Sequence, residues 1–338
     1  MAVIFVYEII QSMGKFQVHE WQRDDFNPIF PPSSEWFDSG CCMNACVLRQ
    51  GDEYWMFYAG SDAKGHRRIC LAIAPVGDHT NWKRLGPLFD IGEPGSFDAN
   101  WCVLPCIHKF GDKWHMYYTG HTGRGAGLQA FGGMGLAVSD DLLHWERYST
   151  EPILRGDGFE DWPGNKGIAG GGGRIHEIEQ PDGSILYRMH YTLATGTPSP
   201  DLLVDQAKQA VMAHSYDGIT WFDRRVIMRA RLAADYENAA AVGLNIWKTP
   251  TRYRAVYSGI GTRFGAYSIC EAVSEDGLVW DRGEPGENLS LAPQGDGWES
   301  QMVEYPNIVE EDGKLRMFYC GNGYGRTGIG TAVAEMLD

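Results

Sequence analysis

Five aromatic–acid pairs punctuate the chain: Phe37-Asp38, Phe97-Asp98, Phe159-Glu160, Tyr236-Glu237 and Trp298-Glu299. Their acids stand 60, 62, 77 and 62 residues apart. Carboxyl groups gathered at one place push one another's pKa apart, because like charges resist joint ionisation. One carboxyl kept protonated and another kept ionised is what cleavage of a glycosidic bond needs. The first gives a proton to the leaving oxygen; the second activates water or attacks the anomeric carbon. A second series supplies cations: Arg67, Arg124, Arg263 and Arg326, within SDAKGHRRI, GHTGRG, GIGTRFG and GNGYGRTG. Trp101, Trp162 and Tyr305 offer aromatic faces for a sugar. A feature present five times also suits a structural task. Each acid can accept backbone N–H bonds at the start of a strand, or pair with an Arg. Glycosidic catalysis uses two or three carboxylates, so some of the five are expected to be structural.

The elements that carry these residues repeat with them. W21-QR, W82-KR, W145-ER, W221-FDRR and W280-DR each open with Trp and a basic residue soon after. The Trp spacings of 61, 63, 76 and 59 keep step with the acids. After each acid comes an apolar run, a turn and an aromatic-rich strand, as in NACVLRQGDEYWMFYAG and YPNIVEEDGKLRMFYCG. The GD and DG dipeptides are hairpin signals. A third strand follows (RICLAIA, MGLAVS, AVMAHS, SICEAVS, IGTAVAE), then an Asp-containing turn and the next Trp. No long window shows helical periodicity. Four antiparallel strands per unit, repeated radially, predict an all-β, five-bladed β-propeller forming a single domain over residues 1–338. The last unit stops after its third strand, and FQVHEWQR supplies the missing one at the other end. Residues 16–23 are therefore expected to complete the last blade and close the ring. The five Trp residues are expected to pack between blades. Loops before the first strand and between the second and third share one face, which places the acids around one mouth of the central channel.

Composition narrows the classes. The 338 residues include 43 Gly, 12 Trp, 16 Tyr and 14 Phe, and 43% are hydrophobic, enough for a core. A formal charge of −15 argues against nucleic-acid and anionic-membrane partners. No apolar run reaches the roughly 18 residues that span a bilayer. MAVIFVYEII lacks a basic flank and is interrupted by Glu8, so a signal peptide is not expected and a cytoplasmic location is. The eight scattered cysteines show no zinc spacing and read as small buried hydrophobes. His108 and His176 occupy matching places in two repeats, which suits structure better than a metal. The GxG strings lie between strands and are turn glycines, not a dinucleotide fingerprint.

The aromatic–acidic pairs, the MFYAG, MYYTG and MFYCGNGYG strands and the SxDGxxW turns resemble the five-bladed propeller glycoside hydrolases of families 43, 32 and 68, and more distantly families 117 and 130. The likeness runs from about Trp21 to Glu335. The families 32 and 43 pattern implies a first-blade base or nucleophile, Asp38, a second-blade modulator, Asp98, and a third-blade acid, Glu160. The family 32 motifs around its first and second acids are missing here. In GFEDWPGNKG, Asp161 competes with Glu160, and four glycines, Gly170 to Gly173, follow, where substrate or a neighbouring backbone can approach closely. Substrate contacts are expected from Trp101, Asp161, Arg174, Glu237, Glu299, His121, Arg124 and Arg326. The expected activity is a glycosidase releasing a sugar from an oligosaccharide or glycoside, with no cofactor, although propellers of this group can hold a central cation. Two alternatives stay open. Resemblance to family 130 implies a phosphorylase, with Arg124, Arg263, Arg326, Lys166 and Arg174 available for phosphate. The other is a non-catalytic sugar-binding propeller. An acidic sugar held by Arg is a further substrate class.

Overall fold

The computed structural model describes residues 16–122, 131–157, 168–170, 173–194 and 208–337. The described chain is nearly all β, in antiparallel hairpins. The first unit holds β2 (Cys41–Gln50), β3 (Glu53–Ser61), β4 (Arg67–Pro75) and β5 (Lys83–Pro87). The second holds β6 (Trp101–Phe110), β7 (Lys113–His121), β8 (Phe131–Ser139) and β9 (Glu146–Arg147). The third divides its inner strand into β10 (Ile168–Gly170) and β11 (Ile175–Glu179), followed by β12 (Ile185–Ala194), β13 (Lys208–Ser215) and β14 (Phe222–Met228). The fourth holds β15 (Ala240–Lys248), β16 (Tyr253–Gly261), β17 (Ala266–Ser274) and β18 (Leu289–Leu291). The fifth holds β19 (Glu304–Glu311), β20 (Lys314–Cys320) and β21 (Ile329–Glu335). Its fourth strand is β1 (Gln22–Arg23), which pairs with β21 through Gln22–Val333 and Arg23–Ala332. The paired stretch is shorter than the 16–23 expected. His19 and Trp21 are held instead by side chains, both bonding to the Glu271 carboxylate of β17.

Two departures have local causes. Around Trp280 the outer strand makes one bridge, Asp281–Val273, and resumes only at β18, because Gly283 and Gly286 at positive φ turn the chain out between them. The inner strand of the third unit is described in two pieces, Ile168–Gly170 and Ile175–Glu179. A Cβ on Gly173 would stand 1.6 Å from the His190 carbonyl oxygen, so backbone meets backbone there. At Gly173 the close approach is that of a neighbouring strand.

Each unit packs on the one before it through its Trp. The ring centroid of Trp145 lies 6.2 Å from Phe57, that of Trp221 5.7 Å from Tyr117, that of Trp280 6.3 Å from His190 and that of Trp82 6.1 Å from Phe318. Trp21 shares a core cluster with Val256. The five partners occupy one repeated place on the second strand of their units. Two seams also carry parallel bridges, Arg67–Trp101 and Lys208–Ala240, which merge the first unit with the second and the third with the fourth. Between the fifth unit and the first, Glu311 accepts from Tyr54, His79 and Arg316. All eight cysteines are buried and unbridged. Replacing buried Trp145 by Ala should cost roughly 3–5 kcal/mol of stability, read as a lowered denaturant midpoint with an unchanged slope. A loss within about 0.5 kcal/mol would show that the seam does not depend on this ring.

Candidate functional site

Four of the five repeated acids are buried and fully engaged inside their own units. Asp38 accepts from the Tyr58 hydroxyl at 2.8 Å, from Arg84 Nε at 2.7 Å and from Ser33. Asp98 accepts from Tyr118 at 2.9 Å, Arg147 Nε at 2.8 Å and Ser96 at 2.9 Å. Glu237 accepts from Tyr257 at 2.6 Å, Arg231 at 2.8 Å and Arg282 at 3.1 Å. Glu299 accepts from Tyr319 at 2.9 Å and lies 2.8 Å from Arg23 Nε. In each case the Tyr comes 20 residues after the acid, and the Arg comes two after the unit's outer Trp. Glycine two residues past the Tyr makes room: a Cβ on Gly60 would meet the Phe37 carbonyl oxygen at 2.7 Å, and one on Gly120 the Phe97 ring at 2.3 Å. This geometry takes the side of the pairing reading. A buried carboxylate that binds a guanidinium and a phenol of its own unit fits a structural task, which weighs against base and modulator roles for Asp38 and Asp98 and against sugar contacts from Glu237 and Glu299. In the third unit Tyr191 stands at the clamp Tyr's place on the second strand, and Arg224, three residues after Trp221 instead of two, opposes the rise that burial gives the Tyr191 hydroxyl. Glu160, Asp161, Trp162, Lys166 and Arg124 lie outside the described residues.

The inner segments of all five units meet around one pocket. It is lined by Asn44 and Ala45, Leu104 and Pro105, Gly173, Gly243 to Asn245, and Tyr305 and Pro306. Four of these strands carry a bulge at the same step, with Asn44, Leu104, Gly243 and Tyr305 at φ 58°, 57°, 63° and 51°. A left-handed conformation is costly for Leu and Tyr. Amide side chains compensate across the seams: Asn245 accepts from the Ile308 N–H, and Asn307 from the Val47 N–H, each at 3.0 Å. The Asn44 amide faces this pocket wall with no partner for either atom among the described residues.

Directly before the pocket-lining Tyr305 stands an unrepeated carboxyl. Glu304 opens β19, five residues after its clamp acid, where the other units place Met43, Val103 and Val242. It is wholly buried, and neither oxygen has a hydrogen-bond partner among the described residues. Burial holds its pKa far above the carboxylate range, with the Lys208 and Arg67 charges opposing. Lys208 sits on the β13 seam, donating to Tyr267 at 2.6 Å and Tyr305 at 3.1 Å; burial pulls its pKa down. Arg67 sits on the β4 seam, its guanidinium carbon 4.2 Å from the Trp101 ring centroid, and the His121 ring stacks 4.1 Å from the same centroid. Two groups that close to one centroid fit only on opposite faces. Trp101 is therefore sandwiched and cannot present a face to a sugar, contrary to expectation. His121 is buried and its pKa falls to about 4, through burial and then the Arg67 charge, so it is a neutral stacking ring at pH 7 and a poor proton donor.

The remaining expected residues separate. Arg326 is exposed, close enough to Cys41 to lower the thiol pKa that burial raises. Arg174 leaves the mouth and donates to the Ile308 carbonyl at 2.5 Å, a strut between the third and fifth units. Arg263 lies over Phe264. Among the described residues no group of three or more His, Cys, Asp or Glu is set to hold a metal. Glu304 and Lys208 escape a reading based on what repeats, because the repeat draws the eye to residues common to all units. The available signal was the reverse: an acid at a place where sister units are apolar.

No family model matches the sequence. The "Uncharacterized protein Rv1502" of Mycobacterium tuberculosis is 28% identical over 316 residues, 91% of this chain and 97% of that protein. Structural neighbours over nearly the full length are glycoside hydrolases of the five-bladed propeller type. One described as "Glycoside hydrolase" superposes with a TM-score of 0.69 at 18% identity, covering 98% of this chain and 96% of its own. Another, from work describing "the GH130 family of mannoside phosphorylases" as containing glycoside hydrolases for β-1,2 mannosidic linkages in Candida mannan, gives 0.69 at 16%, covering 96% of each chain. A third, BT0996 in a complex named for RGII, gives 0.68 at 18%, covering 98% of this chain and 94% of its own. At these identities the likeness is one of fold.

Asp38→Ala leaves Arg84 and Tyr58 buried without their acceptor and should cost roughly 3–5 kcal/mol, measured by equilibrium unfolding; a loss below about 1 kcal/mol would return Asp38 to the candidate catalytic acids. Glu304→Gln should behave oppositely. A carboxyl whose folded pKa is raised contributes stability that is present at low pH and lost as pH rises through that pKa. Between about pH 5 and 9, melting of the wild type should therefore fall relative to the Gln variant, and parallel curves would show that Glu304 does not titrate there.

Proposed function

We propose that the five units close into a ring around the axial pocket, and that the chain hydrolyses a glycosidic bond at the end where Glu304 lies. The observation that carries this reading is Glu304 itself: a buried carboxyl next to pocket-lining Tyr305, with no hydrogen-bond partner among the described residues and a pKa that burial raises. A protonated acid beside a bound glycoside gives its proton to the leaving oxygen as the bond to the anomeric carbon breaks. Tyr267 and Tyr305, tied together by Lys208, form a donor-rich wall next to it. The strained Tyr305 backbone, held by the Ser258 hydroxyl that accepts its N–H at 2.8 Å, fits a residue aimed for function. The second carboxylate that hydrolysis needs falls, on this reading, to Glu160 or Asp161. The fold shared with glycosidases and family 130 phosphorylases supports carbohydrate as the substrate class.

Product release from a panel of aryl and natural arabinosides, xylosides, fructosides, mannosides, galactosides and uronides, run with and without phosphate, tests the reading. Release of one sugar without phosphate is expected. Glu304→Gln should lower that rate by about 10²–10⁴-fold and spare aryl glycosides with good leaving groups. In the wild type the rate should fall as pH rises through the Glu304 pKa of about 8, since only the protonated form donates. That alkaline limb should vanish in the variant. Release only with phosphate would make the protein a phosphorylase, and sugar binding without release would make it a lectin-like propeller.

A further inference from the structure

The seam between the third and fourth units differs from its sisters in carrying imidazoles. Where the second strands of the other units place Phe57, Tyr117, Val256 and Phe318 against the next unit, β12 places His190. His190 is 2% exposed, and its Nε2 lies 3.2 Å from the Gly277 carbonyl oxygen in the turn between β17 and β18. A carbonyl only accepts, so Nε2 carries the proton. Nδ1 has no partner among the described residues, and a second proton there would be a buried charge with nothing to receive it. Two residues earlier, Arg188 donates through Nη1 to the Asp276 carbonyl of the same turn at 2.6 Å, and through Nε to His214 Nε2 on β13 at 3.0 Å. A guanidinium stays charged and only donates, so His214 Nε2 is a bare acceptor. The other ring nitrogen, Nδ1, donates to Asp223 on β14 at 3.0 Å. The His214 bond thus requires a neutral ring, and the His190 site disfavours any other. The surrounding charges are mostly positive. His176 on β11 stands in register with Arg188, its ring 5.6 Å from that of His190, with Arg174 and His108 acting on it. Tyr253 faces Arg188 from the fourth unit. Asp223 is shared with Arg225 at 2.7 Å, and the Asp276 carboxylate accepts from Ser274 in its own turn at 3.0 Å. Burial lowers the pKa of both rings; His176 and Arg188 add to this at His190, and Arg188 at His214, where Asp223 opposes.

We propose that His190, His214 and Arg188 form an acid-released latch: neutral rings hold the Asp276–Gly277 turn of the fourth unit to β12, and their protonation lets it go. A proton on His214 Nε2 removes the acceptor of Arg188 Nε and sets two cations against each other. A proton on His190 Nδ1 puts a further charge beside them with no acceptor. Both costs are relieved when the turn moves off and water reaches the rings. The same seam is fastened elsewhere by the Lys208–Ala240 bridge, at the opposite end of β13 from His214, so it loosens from one end. With pKa values lowered in the closed form, the latch contributes stability that is fully present above the ordinary histidine value of about 6.5. That stability is lost as pH falls below it, because the opened form binds protons that the closed form does not. Between the first and second units the matching place holds Phe57, packed with Leu142 and Trp145, so that seam has no such group to titrate.

Amide hydrogen exchange of the full chain between about pH 7 and 5, followed by mass spectrometry and corrected for the intrinsic exchange rate, reads the opening of each turn. Two turns hold their amides in the same way, on Ser274 and Asp276 in the latch and on Ser139 and Asp141 beside Phe57. Each imidazole that takes up a proton on opening multiplies the opening constant by about ten per pH unit below about 6.5. The latch turn should therefore open at least about tenfold more readily for each unit of acidification, while the turn beside Phe57 holds nearly constant. His214→Gln keeps an acceptor for Arg188 without titrating and should remove about one factor of ten per unit. His190→Phe, which installs the residue of the first unit, should do the same, and gives the readout should the first variant fail to fold. Opening of the latch turn that does not rise with acid overturns the proposal, as do equal slopes in the wild type and both variants. Equal acid opening of the two turns overturns it as well, because the whole fold and not this seam would then answer to pH.

Discussion

The acid–Tyr–Arg clamp is the interaction on which the rest depends. Each clamp ties the approach to a unit's first strand to its second strand and to its outer edge. Three sequence-distant segments are thereby fixed by one buried carboxylate, as when Asp38 holds Tyr58 and Arg84. A buried carboxylate is tolerable only when its lone pairs are filled by charge and hydrogen bonds, and the clamp fills them in the same way in four units. In the fifth unit the Arg comes from the other end of the chain: Arg23 reaches Glu299. The clamp that orders a unit there also fastens the N-terminus, helped by His19 and Trp21 on Glu271. The second strand serves two neighbours at once. Its Tyr turns toward the clamp, and the preceding residue turns toward the next unit's Trp, because side chains alternate along a strand.

With the units so fixed, the axis end can hold groups that would be unstable elsewhere. Glu304 has no ion pair among the described residues to offset its burial, and Tyr305 beside it has a left-handed backbone. Both are costs the clamps and seams can bear. The cations are placed by the seams, not by a single unit: Arg67 where the first unit meets the second, Lys208 where the third meets the fourth. The acids, Tyr and Arg that repeat hold the fold, whereas Glu304 stands where the sister units place Met43, Val103 and Val242.

Five units, four strands each, the role of the outer Trp and the fastening of the N-terminus near β21 are legible in the sequence because they are local and recur. Turn dipeptides, strand alternation and a constant Trp-to-acid interval encode them without reference to long-range contacts. The clamp was half legible. The acids and the basic residues after each Trp are plain, and pairing was one of two readings, but only distance shows that Arg84 reaches Asp38 across 46 residues. The site was not legible. Whether a carboxylate is catalytic depends on what its lone pairs already bind, and composition says nothing of that. Asp38 and Glu304 are both buried acids at the start of a unit; one is saturated by Tyr and Arg, and the other has no hydrogen-bond partner among the described residues and only the charges of two cations nearby. Likewise Trp101 has the residue type for a sugar platform, and only the arrival of Arg67 and His121 from separate strands covers its faces. The sequence by itself determined the strands and their order, since those follow from local alternation and turns. The tertiary structure alone decided which charged groups are paired within the fold, because that depends on partners brought together from distant segments and different units.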